Sequence, residues 1–463
     1  MAGIVAIAIL AVPSFAAVDT VRWIAVGGGP DPRGTQVSLE QDLELARRVL
    51  GPGGIVLFAG GPHAYGVQVL DDKPRGDPLL AELGDLFDPL DGRDSRYRSP
   101  ALKMDGPASS ARVMEALSAA LEQGTEPLLL YFAGHGDKGE APAANSIRLW
   151  GDSGLSVGEL ADLFDRRGGS REVRLVITSC YSGGFADVVF AGASAERGAA
   201  GTRRCGLFAS EWDQEASGCD PNPDRGSQEG YGIYFWHALR GEDRDGKPLR
   251  RASLDPDHDG KISLLEAHTR AVVASTSIDV PTTTSERWLR QMAPKSGPVR
   301  DVSLPEDDAV IAELGARLSL RDEAAARRRF DQLSRALREA DEEVARAADD
   351  EDDAYASLRI ALLERWPVLD DPWHPDFAAT VRDHRDAIRA FLRNEAPARQ
   401  YRAAGDRLAR ARDRSDRLRQ AFAPVRRLVR AYETRTLAGR LHFVGGPAWN
   451  YYQALLACER GVP

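Results

Sequence analysis

The chain has 463 residues, 43% of them hydrophobic and 28% charged. That is ordinary globular composition, long enough for two domains at roughly 100 to 200 residues each. A formal net charge of -10, with 70 acidic against 60 basic residues, argues against a general polyanion binder, because phosphate contacts need concentrated Lys and Arg. Nucleic acid is not an expected partner.

Residues 1–16 form an apolar run closing on the small residues Ser14 and Ala16. This pattern predicts a signal peptide cleaved after Ala16 and export to the periplasm or medium, although no Lys or Arg precedes the run. It falls short of the roughly 20 apolar residues that span a bilayer, and no other segment approaches that length, so no membrane span is expected. Export would permit disulfides among Cys180, Cys205, Cys219 and Cys458. Cys205 and Cys219 flank one loop and could close it or stay reduced, since sequence cannot fix connectivity. Cys180 is expected to stay free.

From about residue 21 to 274, short apolar runs alternate with amphipathic stretches, the pattern of strands joined by crossover helices in a mainly parallel sheet. Trp23 opens a first strand that runs into a glycine turn, and residues 55–58 give a second. Ser38 with Gln41 reads as a capping box opening a helix to Leu50. Residues 109–121 form a helix, 127–132 a buried strand, Ser156 with Glu159 caps another helix, and 173–177 is the next buried strand.

Beyond Pro294 the texture changes. Phe330, Leu333, Leu337 and Val344 mark one helical stripe, and Leu418, Phe422, Val425 and Val429 another. Residues 367–375, with Trp366 and Trp373 at hand, read as a break between long helices, so a hairpin or small bundle over 305–463 is predicted, joined through a linker at 304–306. The expected fold class is therefore α/β, a mainly parallel sheet flanked by helices over 21–300, followed by an all-α domain that could dock a protein partner.

Two of the buried strands end on residues that carry chemistry. His135 stands between Gly134 and Gly136 just past residues 127–132, and Cys180 follows residues 173–177 and precedes Tyr181, Ser182, Gly183 and Gly184. Carboxyl ends of parallel strands are where open α/β folds place ligands. A lone histidine in a glycine loop, or a lone cysteine after an apolar strand, is more often structural. Together they stand 45 residues apart, and match an arrangement in which the histidine precedes the cysteine by about 50. The pair suffices for acyl transfer without a metal, the imidazole serving the thiol as base and then protonating the leaving amine. The backbone N–H groups of Gly136 and Cys180 are the candidate oxyanion hole.

On these motifs, and on residues 208–219 followed by 231–239, the chain resembles the caspase-like peptidases, the clan of caspases, metacaspases and legumain, closest in texture to legumain-like bacterial members. The resemblance implies a cysteine endopeptidase with Cys180 as nucleophile, His135 as base, a peptide or protein substrate, and residues 208–217 beside the primary specificity pocket. Thr178 stands where metacaspases carry an acid, so cleavage after basic residues is not implied, and the caspase sequence around the nucleophile is absent. Glu211, Asp213 and Glu215 are candidate carboxylates for a basic substrate side chain, or simply a solvated acidic loop. The rival reading is a degenerate caspase-like binding module, or a scaffold acting through its helical domain.

Residues 255–266 reproduce a twelve-residue calcium loop: Asp255, Asp257 and Asp259 at the first, third and fifth positions, Gly260 at the sixth, Ile262 at the eighth and Glu266 at the twelfth. The carbonyl of Lys261 and the side chain of Ser263 complete the expected set. A helix should follow, but too little chain precedes the loop for a full entering helix. Calcium would be structural and the chemistry needs no cofactor; the competing reading is acids that merely cap the following helix. His63, His237, His258, His268, His374, His384 and His442 show no convincing zinc spacing and read as structural.

Overall fold

The computed structural model describes residues 22–71, 76–87 and 94–463; the expected signal peptide lies outside them. The apolar runs become strands because each is buried on both faces, as crossover helices require of a parallel sheet. β1 (Trp23–Gly28), β2 (Gly54–Phe58), β5 (Leu128–Gly134), β9 (Val173–Ile177) and β10 (Arg204–Phe208) pair in parallel, and β11 (Thr282–Thr283) closes one edge antiparallel to β10. The sheet order is β11-β10-β9-β5-β1-β2. Two antiparallel pairings lie outside it: β3 (Val67–Leu70) with β4 (Ser95–Arg98), and the meander β6 (Gly136–Asp137), β7 (Ser146–Leu149) and β8 (Ser153–Ser156).

The period of two along each strand assigns side chains to two cores. Ala25, Leu129, Tyr131, Val176 and Leu207 face one core, with α1 (Val37–Leu50), α5 (Tyr231–Leu239), α6 (Leu264–Ala274) and α7 (Thr284–Met292). Ile24, Val26, Leu130, Phe132, Leu175 and Ile177 face the other, under α3 (Ser110–Glu122) and α4 (Val157–Arg167). The Ser156 and Glu159 capping box forms as predicted. Ser38 does not cap α1; its hydroxyl instead donates to the Gly218 carbonyl (2.6 Å) and accepts from the Asp220 amide (2.8 Å).

After α8 (Pro305–Leu318), the predicted stripes form α9 (Glu323–Arg365) and α12 (Ala396–Val444). They run antiparallel, since Phe330 meets Phe422, Asp341 meets Arg419 and Tyr355 meets Tyr401. The predicted break at 367–375 separates α9 from the short α10 (Phe377–Asp383) and α11 (Arg385–Asn394), which pack at the far end of the hairpin with α2 (Pro78–Phe87). Among the described residues no helix is long and apolar enough to cross a membrane.

The helical region is not a detached domain. Leu304, expected in a linker, is buried in the main core, and Glu306 is buried against Arg460 at 2.7 and 2.8 Å. Tyr452, Leu455 and Leu456 of α13 (Gly446–Glu459) join that same core, as do Ala438 and Leu441 of α12. A disulfide links Cys205 on β10 to Cys458 on α13 across 253 residues. This replaces the Cys205–Cys219 bridge left open above: Cys205 points into the core shared with α13, whereas Cys219 sits on an exposed loop.

A crosslink over so long a loop removes much denatured-state entropy, so Cys458→Ser is expected to cost about 2–4 kcal/mol, read as a lower denaturant midpoint. An unchanged midpoint would show that packing of α13 alone holds the chain end.

Candidate active site

In this sheet β1 lies between β2 and β5, so the strand order reverses between β1 and β5. Such a reversal is where open α/β sheets bind ligands. His135 follows β5 directly, half-buried there. Its Nε2 lies 2.9 Å from the Gly34 carbonyl and 3.0 Å from Gln36 Oε1, both in the loop after β1. A carbonyl can only accept, so Nε2 carries the proton and Nδ1 is the basic nitrogen.

β5 and β9 pair with Phe132 opposite Ile177, and three residues further along each strand stand His135 and Cys180. The two loops touch. A Cβ on Gly136 would fall 2.2 Å from the Cys180 carbonyl oxygen, so only glycine lets the histidine loop pack on the cysteine loop. Directly after Cys180, Tyr181 takes a left-handed backbone (φ 59°), a conformation that costs a non-glycine residue and persists only where the surroundings impose it. The imposition is visible: Tyr181 donates its amide to the Gln214 carbonyl (2.8 Å), and its own carbonyl accepts from Asn145 Nδ2 (2.9 Å).

Asn145, 1% exposed, joins three loops. Its Nδ2 also donates to the Trp212 carbonyl (2.6 Å), and its Oδ1 accepts from the Gly139 amide (2.9 Å). The histidine meander, the cysteine loop and the segment after β10 are thus fastened at one side chain. Sequence reasoning missed it, and an isolated Asn in a loop gave no signal.

Cys180 Sγ accepts from the Ala216 amide (3.3 Å). The next residue, Ser217, donates to Asp279 Oδ1 (2.6 Å), while Asp279 Oδ2 accepts from the Tyr231 amide (3.0 Å). Asp279 is fully buried, and Arg427 of α12 holds its turn by donating to the Ser275, Ser277 and Asp279 carbonyls at 2.7, 2.8 and 2.7 Å. Cys219, three residues beyond Ala216, puts its sulfur 3.8 Å from His135 Nδ1 and lies in electrostatic reach of Cys180. The thiol in contact with the imidazole is therefore that of Cys219, with Cys180 in electrostatic reach of it.

Burial raises the Cys180 pKa, opposed by the Ala216 hydrogen bond and reinforced by Glu215 and Asp279. Burial also lowers that of His135, against the Gly34 hydrogen bond. Near neutral pH both groups are thus uncharged at rest, because the low-dielectric site penalises either ion.

The specificity candidates separate. Glu211 is committed within the chain, to Arg426 of α12 at 2.9 and 3.1 Å and to Arg430. Burial works to raise its pKa, but Arg430 and Arg426 outweigh it and hold the carboxylate charged. It is not available to a substrate side chain as predicted. Glu215 is exposed and Asp213 half-buried, with the exposed ring of Trp212 beside them and the Lys138 ammonium 5.4 Å above that ring.

No family model and no curated protein matches this chain. Among solved structures it is similar to a crystal structure of a protein from Geobacter sulfurreducens, at 14% identity over 57% of this chain and 92% of that one, with a TM-score of 0.30. That likeness carries no argument.

Two measurements probe this geometry. In a Cys219→Ser background, alkylation of Cys180 should accelerate with pH through the ordinary thiol value of 9.0; a plateau near neutrality would indicate a preformed thiolate–imidazolium pair. Asn145→Ala leaves buried partners unsatisfied and should destabilise the fold by about 1–3 kcal/mol, with Asn145→Asp recovering only the Gly139 contact.

Proposed function

We propose that the protein is a cysteine endopeptidase of the caspase-like type, with Cys180 as nucleophile and His135 as general base. The observation that carries this reading is the registered pairing of β5 with β9, which sets both residues at one sheet edge in touching loops. A mainly parallel sheet flanked by helices is also what the resemblance implies.

The chemistry begins from neutral partners. As the Cys180 sulfur attacks the scissile carbonyl carbon, its proton passes to His135 Nδ1, so charge develops only when substrate has displaced water. The backbone N–H groups of Gly136 and Cys180 would receive the developing oxyanion. Collapse breaks the C–N bond while the imidazolium returns the proton to the departing amine, leaving a thioester on Cys180. Water then attacks that thioester, His135 takes its proton, and the carboxylic acid and free thiol are released. Exposed Trp212, with Asp213 and Glu215, would meet the substrate side chain.

A second reading has a specific observation behind it: Cys219 approaches His135 Nδ1 to 3.8 Å, so it could be the attacking thiol. Cys180 is preferred because it sits at a strand end in a loop that Asn145 and the left-handed Tyr181 hold in place. A binding module without turnover, acting through the helical region, is the rival of a different class.

The test is turnover of a fluorogenic peptide library by the full chain. Cys180→Ala and His135→Ala should each reduce kcat/KM by on the order of 10⁴-fold, and Cys219→Ser should leave most activity. Loss with Cys219→Ser alone would move the nucleophile to Cys219, and well-folded protein that cleaves nothing would favour the binding module.

A further inference from the structure

The loop at residues 255–266 is not absorbed by the reading above, and its geometry carries an inference of its own. Asp255, Asp257 and Asp259 each present a carboxylate oxygen within 4.8 Å of the others. Three like charges at that spacing repel unless a cation lies among them. Acidic clusters on surfaces are nevertheless common, and cluster geometry alone would establish nothing.

The independent observation is buried. Glu266 is 1% exposed and Asp255 6%, yet Glu266 Oε1 and Asp255 Oδ1 have no hydrogen-bond partner. The competing role, capping the next helix, uses only the other oxygen: Glu266 Oε2 accepts from the Ser263 amide at 2.7 Å, and Ser263 Oγ accepts from the Glu266 amide at 3.2 Å. Asp255 Oδ2 is likewise occupied, by the Gly260 amide at 3.1 Å, with Arg251 Nε at 3.6 Å. Capping therefore leaves one oxygen of each buried carboxylate unaccounted for, and an unpartnered carboxylate oxygen inside a protein is costly. The orphaned Asp255 Oδ1 belongs to a member of the acidic cluster itself, and Glu266 lies in electrostatic reach of Asp257 and Asp255.

We propose that residues 255–266 bind one divalent cation of the calcium class through Asp255, Asp257, Asp259 and Glu266. The carbonyl of Lys261 and a water on Ser263 would complete the shell, since the Ser263 hydroxyl is engaged in the cap. An all-oxygen set of this number suits calcium; magnesium holds its water and demands a tighter octahedron. Gly260 makes the turn with φ 80°. The entering element is only a turn at Arg251–Ser253, so half of an EF-hand is present, and affinity should fall at the weak end for such loops. Arg251 and Arg460 are the neighbouring cations, the latter in reach of Asp257.

The site stands where three parts of the chain meet. It opens α6, and the Leu264 amide at that opening donates to the Gly461 carbonyl at 3.0 Å, beside the disulfide-bearing helix. A bound ion would thus fasten the chain end to the sheet domain.

Calorimetric titration of chelator-treated full chain with calcium chloride should give one equivalent with Kd roughly 10⁻⁵ to 10⁻³ M, and calcium should raise the unfolding temperature. Asp259→Ala removes an exposed ligand, and Glu266→Gln keeps the cap while removing charge; each should weaken binding by about tenfold or more. No heat and no thermal shift in millimolar calcium, or unchanged affinity in both variants, would overturn the proposal. Neither readout depends on turnover, so the outcome stands whether or not the peptidase reading survives.

Discussion

The parallel pairing of β5 with β9 is the constraint on which the rest of the structure depends. Its register sets Phe132 against Ile177, and His135 and Cys180 each stand three residues beyond that pair, so both leave the same edge of the sheet. Shifting that register by one residue would turn every side chain of the strand to the opposite face. Leu130, Phe132, Leu175 and Ile177 belong to one core and Leu129, Tyr131 and Val176 to the other, so such a slip would expose neither set but would mispack both. The site is held in place by the same burial that holds the sheet together.

The C-terminal helices act on this site from behind. Arg427, 2% exposed, brings a guanidinium into the interior, where burial pushes its pKa down to about 10 against the pull of Asp279. A buried cation is tolerable only when its donors are satisfied, and the carbonyls of the turn at residues 275–279 satisfy them. That turn presents Asp279 to the Ser217 amide, and Ala216 next to it holds the Cys180 sulfur. Arg426 and Arg430 meanwhile grip Glu211 at the head of the same loop. The segment between Glu211 and Cys219 is therefore stretched between α12 on one side and Asn145 on the other. This explains why so long a stretch without helix or strand keeps a defined course past the two thiols.

Electrostatics at the site follow from that enclosure. An exposed cysteine beside an imidazole would favour the ion pair, but half-burial of both residues, with Asp279 and Glu215 near the sulfur, favours the neutral pair. On the proposed peptidase reading, proton transfer would then wait for substrate, whose carbonyl replaces water at the site. The free Cys219 sulfur near the basic nitrogen adds a second thiol to the same environment, on a segment whose Gly218 and Asp220 hydrogen-bond the Ser38 hydroxyl of α1.

By itself the sequence determined four strands of the parallel sheet, the helices α1, α3, α4 and α6, the two long C-terminal helices, the α/β class and the two residues beyond the strand ends, because each rests on local pattern: burial on both faces makes continuous apolar runs, and an amphipathic helix carries its own period. It also determined the spacing of the acids in residues 255–266. Long-range partners were decided only by tertiary structure. Cys458 over Cys219 as the mate of Cys205, Glu211 bound by Arg426 and Arg430, and Ser38 bonding a loop 180 residues away are set by which surfaces pack together, and a disulfide, an ion pair or a hydroxyl leaves no periodic trace of its partner. Pro424 illustrates the same limit from the other side: a proline argues for a helix end, yet α12 continues through it to Val444, because Ala423 and Val425 on either side are buried and packing outweighs one lost hydrogen bond.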